Sequence, residues 1–405
     1  MRIFGQYQNI IDHIEIGEGI LETVPAWLNA KNYKNILLVS DINTHKAAGA
    51  RIAGLLSGAG IPFDEYIFND DEVMPDEASV AALEAAIPDN CGLLLGVGSG
   101  TINDLCKYAG HRVSIPSAII ATAPSMDGYT AKGAAMVIAG MKVTPQTQCP
   151  VAVFCDIDVM RAAPERMLAS GLGDILGKYS ALADWKLSHI LTGEPMPADL
   201  TDVVEKAVRL CANSAHGLAK RDPEAVLRLT EGLLLSGIAM SVYGDSRPAS
   251  GTEHHLSHYW EMRFLAERKK PASHGFTVGI GTLIALRLWQ SLPVLPKRPM
   301  PEDRERTLAL VSEKYGPSAP ALLPVPNPNL DFNFIMEKWP EIQKIARENP
   351  EPAYIEGLLR LAGAPVMPSE ADIDGALLKE SILLARERKK VYTVLQLMGD
   401  LGLLD

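Results

Sequence analysis

Four positions in this chain have the residue types and spacing of a catalytic metal site: His254, His258, His274 and, upstream, Asp174. The histidines lie in Ser250-Gly-Thr-Glu-His-His-Leu-Ser-His258 and Ser273-His274-Gly275, and Gly171-Leu-Gly-Asp174 opens a long helical stretch. His254 and His258 are four apart, so a helix puts them on one face. His274 begins the next helical run after a short basic loop and can complete a site with them. A divalent ion held by two imidazoles and one carboxylate keeps a coordination position open, as a catalytic centre requires. Four of the nine histidines fall within residues 254–274, which is too dense for scatter. His255, roughly 100° around the helix from His254, belongs to packing or solvent.

Two kinds of element must position these residues. From about residue 30 to about 155, β and α patterns alternate. Extended runs at Ile36–Ser40, Glu65–Phe68, Gly92–Gly96 and Ser117–Ala121 are separated by alanine-rich helical segments. Such alternation predicts a parallel sheet covered by helices. Further extended runs at Ala134–Ala139 and Val151–Phe154 close this part. After about Pro164 the chain reads as helix, at 173–192, 201–219, 223–243, 252–267 and 276–291. Proline-rich connections at Leu292–Pro301 and Pro317–Pro328 interrupt it before helix returns from about Asp331. The expected division is an α/β nucleotide-binding domain over 1–160 and an all-α domain over 161–405.

A second candidate site follows the third extended run, in Gly96-Val-Gly98-Ser-Gly100-Thr-Ile-Asn-Asp104. A helix N-terminus offers unpaired amides and partial positive charge to a pyrophosphate, and glycine lets the backbone come close to it. Thr101 stands where the common dinucleotide fingerprint has its third glycine, so a ligand-free turn is the competing reading. Asp41 ends the first of these runs, where a carboxylate can meet a ribose diol or merely cap a helix. Thr122-Ala-Pro-Ser125-Met-Asp127-Gly128 places polar groups at the same edge of the sheet, where ligands of open α/β sheets collect.

Composition excludes other classes. The 405 residues are 47% hydrophobic and 21% charged with a net charge of −11, an ordinary globular balance that argues against a nucleic-acid partner. No run approaches roughly 18–20 uninterrupted apolar residues, so no membrane span is expected. The N-terminus lacks the apolar core of a signal peptide, and five cysteines without a paired motif fit free thiols in a reducing cytoplasm.

Three motifs in order, Gly96–Tyr108, Thr122–Tyr129 and Ser246–His254, make the chain resemble the sn-glycerol-1-phosphate dehydrogenases, especially the bacterial type associated with arabinose operons. The wider superfamily holds glycerol dehydrogenase, iron-type alcohol dehydrogenases and 3-dehydroquinate synthase. The resemblance, over roughly residues 30–290, implies a nucleotide domain, a helical domain and an active site in the cleft between them. It implies that Asp174, His254 and His274 ligate one divalent metal, zinc or nickel. It further implies that Asp41, Gly98, Ser99, Gly100, Thr101, Asp104, Thr122 and Ser125 contact NAD(P)H. Asp127, Asp174 and His258 would face the substrate, with Asp174 and His258 catalytic. The chain reads Thr130-Ala131 where relatives carry a cofactor-contacting serine, so neither residue is given that contact. Relatives also suggest a homo-oligomer, such as a dimer.

The implied reaction is reduction of dihydroxyacetone phosphate, with His258 placed to deliver or relay the proton. Arg247, Lys269 and Lys270 are the basic residues nearest the histidines in sequence and the candidates for the phosphate. The alternatives are a glycerol dehydrogenase acting on the unphosphorylated ketone and a phosphate-eliminating cyclase of the dehydroquinate-synthase kind. The cyclase branch typically has Glu as its first ligand, where this chain has Asp174. A non-enzymatic nucleotide or metal sensor on the same scaffold would bind without turnover. Asp41 favours NADH, because it would repel a 2′-phosphate.

Overall fold

The computed structural model describes residues 4, 7–70, 73–297, 304–315 and 330–404. Six parallel strands form its sheet: β1 (His13–Gly17), β2 (Ile36–Asp41), β3 (Phe63–Phe68), β4 (Leu93–Gly98), β5 (Ser117–Ala121) and β8 (Ala152–Asp156). Their spatial order is β1-β8-β5-β4-β2-β3. Apart from Ser117 and Asp156 at their ends, the runs of β4, β5 and β8 are apolar without alternation because both faces of these strands are covered, and every residue in them is buried. Two shorter strands, β6 (Met136–Ile138) and β7 (Met141–Val143), make an antiparallel hairpin outside that sheet.

The strand order carries functional information. The chain runs from β2 out to the edge strand β3, then returns to β4 on the other side of β2. That reversal creates a topological switch point between β2 and β4, the crevice where doubly wound sheets take their ligands. The extended run expected at Ala134–Ala139 contains β6, one half of the hairpin. Two strands were missed: β7, the second half of that hairpin, and β1, whose partly buried His-Ile-Glu-Ile-Gly sequence pairs with β8 at the edge.

Every described element after Asp156 is helical. The expected helix over 173–192 is two, Glu165–Leu176 and Lys178–Thr192, hinged at Gly177. The remaining helices that matter to the site are Pro223–Tyr243, Thr252–Ala266 and His274–Gln290. Pro223–Tyr243 has the length and hydropathy of a membrane span, yet its apolar window is 72% buried inside the fold, as a core helix is. The Pro317–Pro328 connection lies outside the described residues. One hydrophobic cluster joins Ile119 and Val153 of the sheet to Leu172 and Leu176 of the first helix after it, and to Leu229 and Leu233 of Pro223–Tyr243. The sheet and the helices thus share a core.

Candidate active site

The helix Glu165–Leu176 approaches the start of His274–Gln290 more closely than side chains would allow. A Cβ on Gly173 would lie 2.1 Å from the Gly275 carbonyl oxygen, and one on Gly275 would lie 1.8 Å from the Ser170 carbonyl. Glycine at both positions lets the two backbones touch. Asp174 and His274, their immediate neighbours in sequence, are thereby brought to one point. Thr252–Ala266 supplies His254 and, one turn on, His258.

Ligand atoms of Asp174, His254 and His274 all lie within 4.8 Å of one another. The three imidazoles form a near-regular triangle, with ring centroids 5.3 Å apart for His254–His274 and His258–His274, and 5.9 Å for His254–His258. His254 Nε2 is 3.5 Å from Asp174 Oδ1. His254 Nδ1 lies 2.8 Å from Glu253 Oε1, and His274 Nδ1 lies 2.8 Å from Glu261 Oε1. An ionised carboxylate can only accept a hydrogen bond, so each Nδ1 is the donor, and each ring in its neutral form presents the Nε2 lone pair. Two imidazole lone pairs and a carboxylate converging at this range are a donor set that fits one divalent cation.

The carboxylates around these histidines are buried and ionised. Burial alone would raise the carboxyl of Asp174, but the Lys178 ammonium and the neighbouring histidines overcome this and hold it well below its usual range. Glu261 is likewise held down by Lys142 and His274 against the effect of burial, and Glu253 by its bonds from His254, Ser180 and the Gly251 amide. Lys178 has a fully buried side chain, and its Nζ stands 2.9 Å from both Asp174 Oδ1 and Asp127 Oδ2. Burial would strip its proton, but the two carboxylates hold it there and push its pKa up.

Asp127 joins the sheet edge to the histidines. Its backbone amide donates to Asp174 Oδ2 at 3.0 Å, and Ser236 Oγ donates to its carboxylate at 2.8 Å. Ser125 sits in the same buried turn, where its carbonyl accepts from Ser170 Oγ.

The expected nucleotide residues gather at the switch point. Asp41 ends β2, Gly98 ends β4 beside it, and Thr122 follows β5 with its amide bonded to the Gly98 carbonyl at 3.0 Å. Ser99 is the N-cap of Gly100–Val113 without a side-chain cap, which leaves first-turn amides for an anion. Thr101, in that first turn, is partly exposed. The glycines have an internal reason too: a Cβ on Gly98 would stand 2.5 Å from Ile102, and one on Gly100 would stand 3.1 Å from Met126. Asp41 caps the turn after β2, with Oδ1 accepting from the Asn43 and Thr44 amides at 2.8 Å each.

Two expectations take a different form. Asp104 faces the interior: Oδ1 pairs with Lys107 at 2.9 Å and Oδ2 accepts from the Ala135 amide at 3.1 Å. Lys107 Nζ in turn donates to the carbonyls of Gly128, Ala131 and Gly133, so the pair holds the loop after Asp127. Arg247 is 1% exposed, with Nε on both Glu194 oxygens at 3.0 Å and Nη2 on the Asp184 and Tyr392 carbonyls. That guanidinium ties helices together and does not serve as a phosphate anchor. Lys269 is exposed and pairs with Glu267.

Sequence reasoning missed Lys178, Glu253, Glu261 and Lys142. Spacing could have found three of them. Lys178 is four residues after Asp174, Glu253 precedes His254, and Glu261 is three after His258.

Comparison with known proteins agrees with this architecture. Residues 15–164 match the family model for iron-containing alcohol dehydrogenase. A glycerol-1-phosphate dehydrogenase [NAD(P)+] of Geobacillus stearothermophilus is 31% identical over 404 residues, 98% of this chain and 94% of its own. One from Halalkalibacterium halodurans is 37% identical over 284 residues, 69% of this chain and 71% of its own. Glycerol dehydrogenase from Schizosaccharomyces pombe shares the fold, with a TM-score of 0.66 at 16% identity over 98% of this chain and 89% of its own. The chain belongs to the glycerol-1-phosphate dehydrogenase family, NAD(P)-dependent oxidoreductases within the iron-containing alcohol dehydrogenases.

Proposed function

We propose that this protein catalyses the reversible reduction of dihydroxyacetone phosphate to sn-glycerol 1-phosphate, taking one hydride from NADH or NADPH and one proton. The observation that carries this reading is the convergence of Asp174, His254 and His274 within 4.8 Å, beside Asp127 and His258. Those three residues would hold a divalent ion, and their nitrogen and oxygen donors suit zinc or nickel. Residues 1–160 would bind the nucleotide, and 161–405 would hold the metal and most of the substrate contacts.

A divalent ion supplies Lewis acidity to the substrate oxygen as negative charge develops there. Nicotinamide supplies the hydride. The protein's own groups do the rest. His258 Nδ1 faces Glu261 Oε2 at 3.5 Å, so its Nε2 is the atom from which a proton would pass to the substrate oxygen. Such assistance typically contributes ~10²–10⁴-fold. Lys178 keeps Asp174 ionised and fixes both Asp174 and Asp127 in place through its paired contacts. At the switch point, the amides after Ser99 would take the pyrophosphate, and Asp41 would take the ribose diol through Oδ2, which its capping bonds leave available.

The test is to strip the purified protein with chelator, return zinc or nickel singly, and follow NADH oxidation with dihydroxyacetone phosphate or dihydroxyacetone. Metal-dependent turnover that strongly favours the phosphorylated ketone supports the reading. Equal efficiency on both ketones would defeat its phosphate-specific part. Absence of net NADH consumption would point instead to a cyclase that recycles its cofactor.

A further inference from the structure

Lys142, on strand β7 of the hairpin, forms an ion pair with Glu261 on the histidine helix, across 119 residues of sequence. Glu261 is 3% exposed, and the Lys142 side chain is largely covered. The same glutamate accepts from His274 Nδ1 at 2.8 Å through Oε1 and faces His258 Nδ1 at 3.5 Å through Oε2. Glu253 does the matching task for His254, and is itself tied by Ser180 Oγ and the Gly251 amide. The two arrangements differ in one respect. Glu253 is held entirely by helical-domain groups, whereas Glu261 is held by a lysine from the hairpin that follows the nucleotide-binding strands.

We propose that Glu261 is a positioning residue that fixes the tautomer and ring orientation of His274 and sets its charge beside His258, and that Lys142 sets Glu261's position from the nucleotide half of the molecule. This rests on the metal reading above. A carboxylate on the distal nitrogen of a histidine ligand fixes the tautomer and raises its basicity, and losing such a partner typically costs about 10–100-fold in metal affinity. Without Lys142, the hydrogen bond from His274 is what holds the buried Glu261 charge among the described residues, so the carboxylate and that ring shift. The metal environment therefore depends on how the β6–β7 hairpin is seated.

The experiment uses the full-length protein stripped of metal and titrated with Co²⁺, whose visible absorption reports ligand geometry. Wild type, Glu261→Gln, Lys142→Met and Lys142→Arg are compared, with NAD⁺ binding as the control for an intact nucleotide half. Glu261→Gln is expected to bind Co²⁺ about 10–100-fold more weakly, with displaced absorption bands and unchanged NAD⁺ affinity. Lys142→Met should displace the same bands with a smaller loss, and Lys142→Arg should restore them. Wild-type bands and affinity in Glu261→Gln would overturn the proposal. If that variant does not fold, wild-type bands in Lys142→Met would overturn it instead. A wild-type protein that binds no Co²⁺ removes the metal reading itself, and this inference with it; unchanged variants of a Co²⁺-binding protein remove this inference alone.

Discussion

Gly173 and Gly275 meet backbone against backbone, and that contact sets the distance between the two residues beside them, Asp174 and His274. A methyl group at Gly173 would stand 2.1 Å from the Gly275 carbonyl oxygen, well inside contact distance. Gly173→Ala should therefore push the two helices apart. Overpacking of this kind costs about 1–3 kcal/mol. The expected result is a lower Tm together with loss of metal, measured by thermal unfolding and by metal analysis of the purified variant. A variant with wild-type metal content would show that this contact does not set the site.

The role proposed for His258 separates proton delivery from metal binding. It lies on the same face as His254, yet the three converging ligand atoms belong to Asp174, His254 and His274. His258→Ala should lower kcat by ~10²–10⁴-fold while leaving metal content close to one ion per chain. Lost metal would make His258 a ligand. Retained metal with normal turnover would remove it from the mechanism.

Arg247 tests whether closeness in sequence to the histidines means closeness to the substrate. Its guanidinium is buried on Glu194 and three backbone carbonyls. Breaking a buried pair of this kind costs about 3–5 kcal/mol. Arg247→Met should lose stability of that order, while any folded fraction keeps the wild-type KM for dihydroxyacetone phosphate. A raised KM in a variant of unchanged stability would return Arg247 to the substrate site.

Asp184 gives stability a pH dependence of a definite sign. Its carboxylate accepts the Thr252 amide at 2.7 Å and the Val394 amide at 2.9 Å, joining the start of the histidine helix to the last described helix. Burial, reinforced by the negative Glu253, pushes this carboxyl up to about 6 from an ordinary 3.8. Between those values the folded protein holds a proton that the unfolded chain has released, so this group's contribution to stability grows as pH falls from about 7 toward 4. Asp184→Asn cannot titrate and loses one acceptor. Wild-type stability minus that of this variant should rise as pH falls through 6, read by denaturant unfolding at fixed ionic strength. A difference that falls over that range would contradict the assignment.

Much of the site was legible because its signals are local. His254 and His258 share a face by their four-residue spacing, and the glycine loop sits where an apolar strand gives way to a helix. The unread parts depend on contacts between distant segments. Lys142 meets Glu261, and Asp127 meets Lys178, only after the hairpin and the helices are packed, and no periodicity records that. Arg247 misled for the converse reason: adjacency in sequence placed it near the histidines, while the turn after Tyr243 directs its side chain into the helical core. The break at Gly177 escaped notice because both flanking helices are rich in alanine and leucine. Strand β1 is short and only partly buried, so its pattern is weak.

The most direct measurement is anomalous diffraction from a crystal of the zinc-loaded protein, with data collected on both sides of the zinc absorption edge. A single strong peak should appear between Asp174 Oδ, His254 Nε2 and His274 Nε2, with both Nδ1 atoms still on Glu253 and Glu261. A peak elsewhere, or those three side chains turned away from one another, would contradict the account.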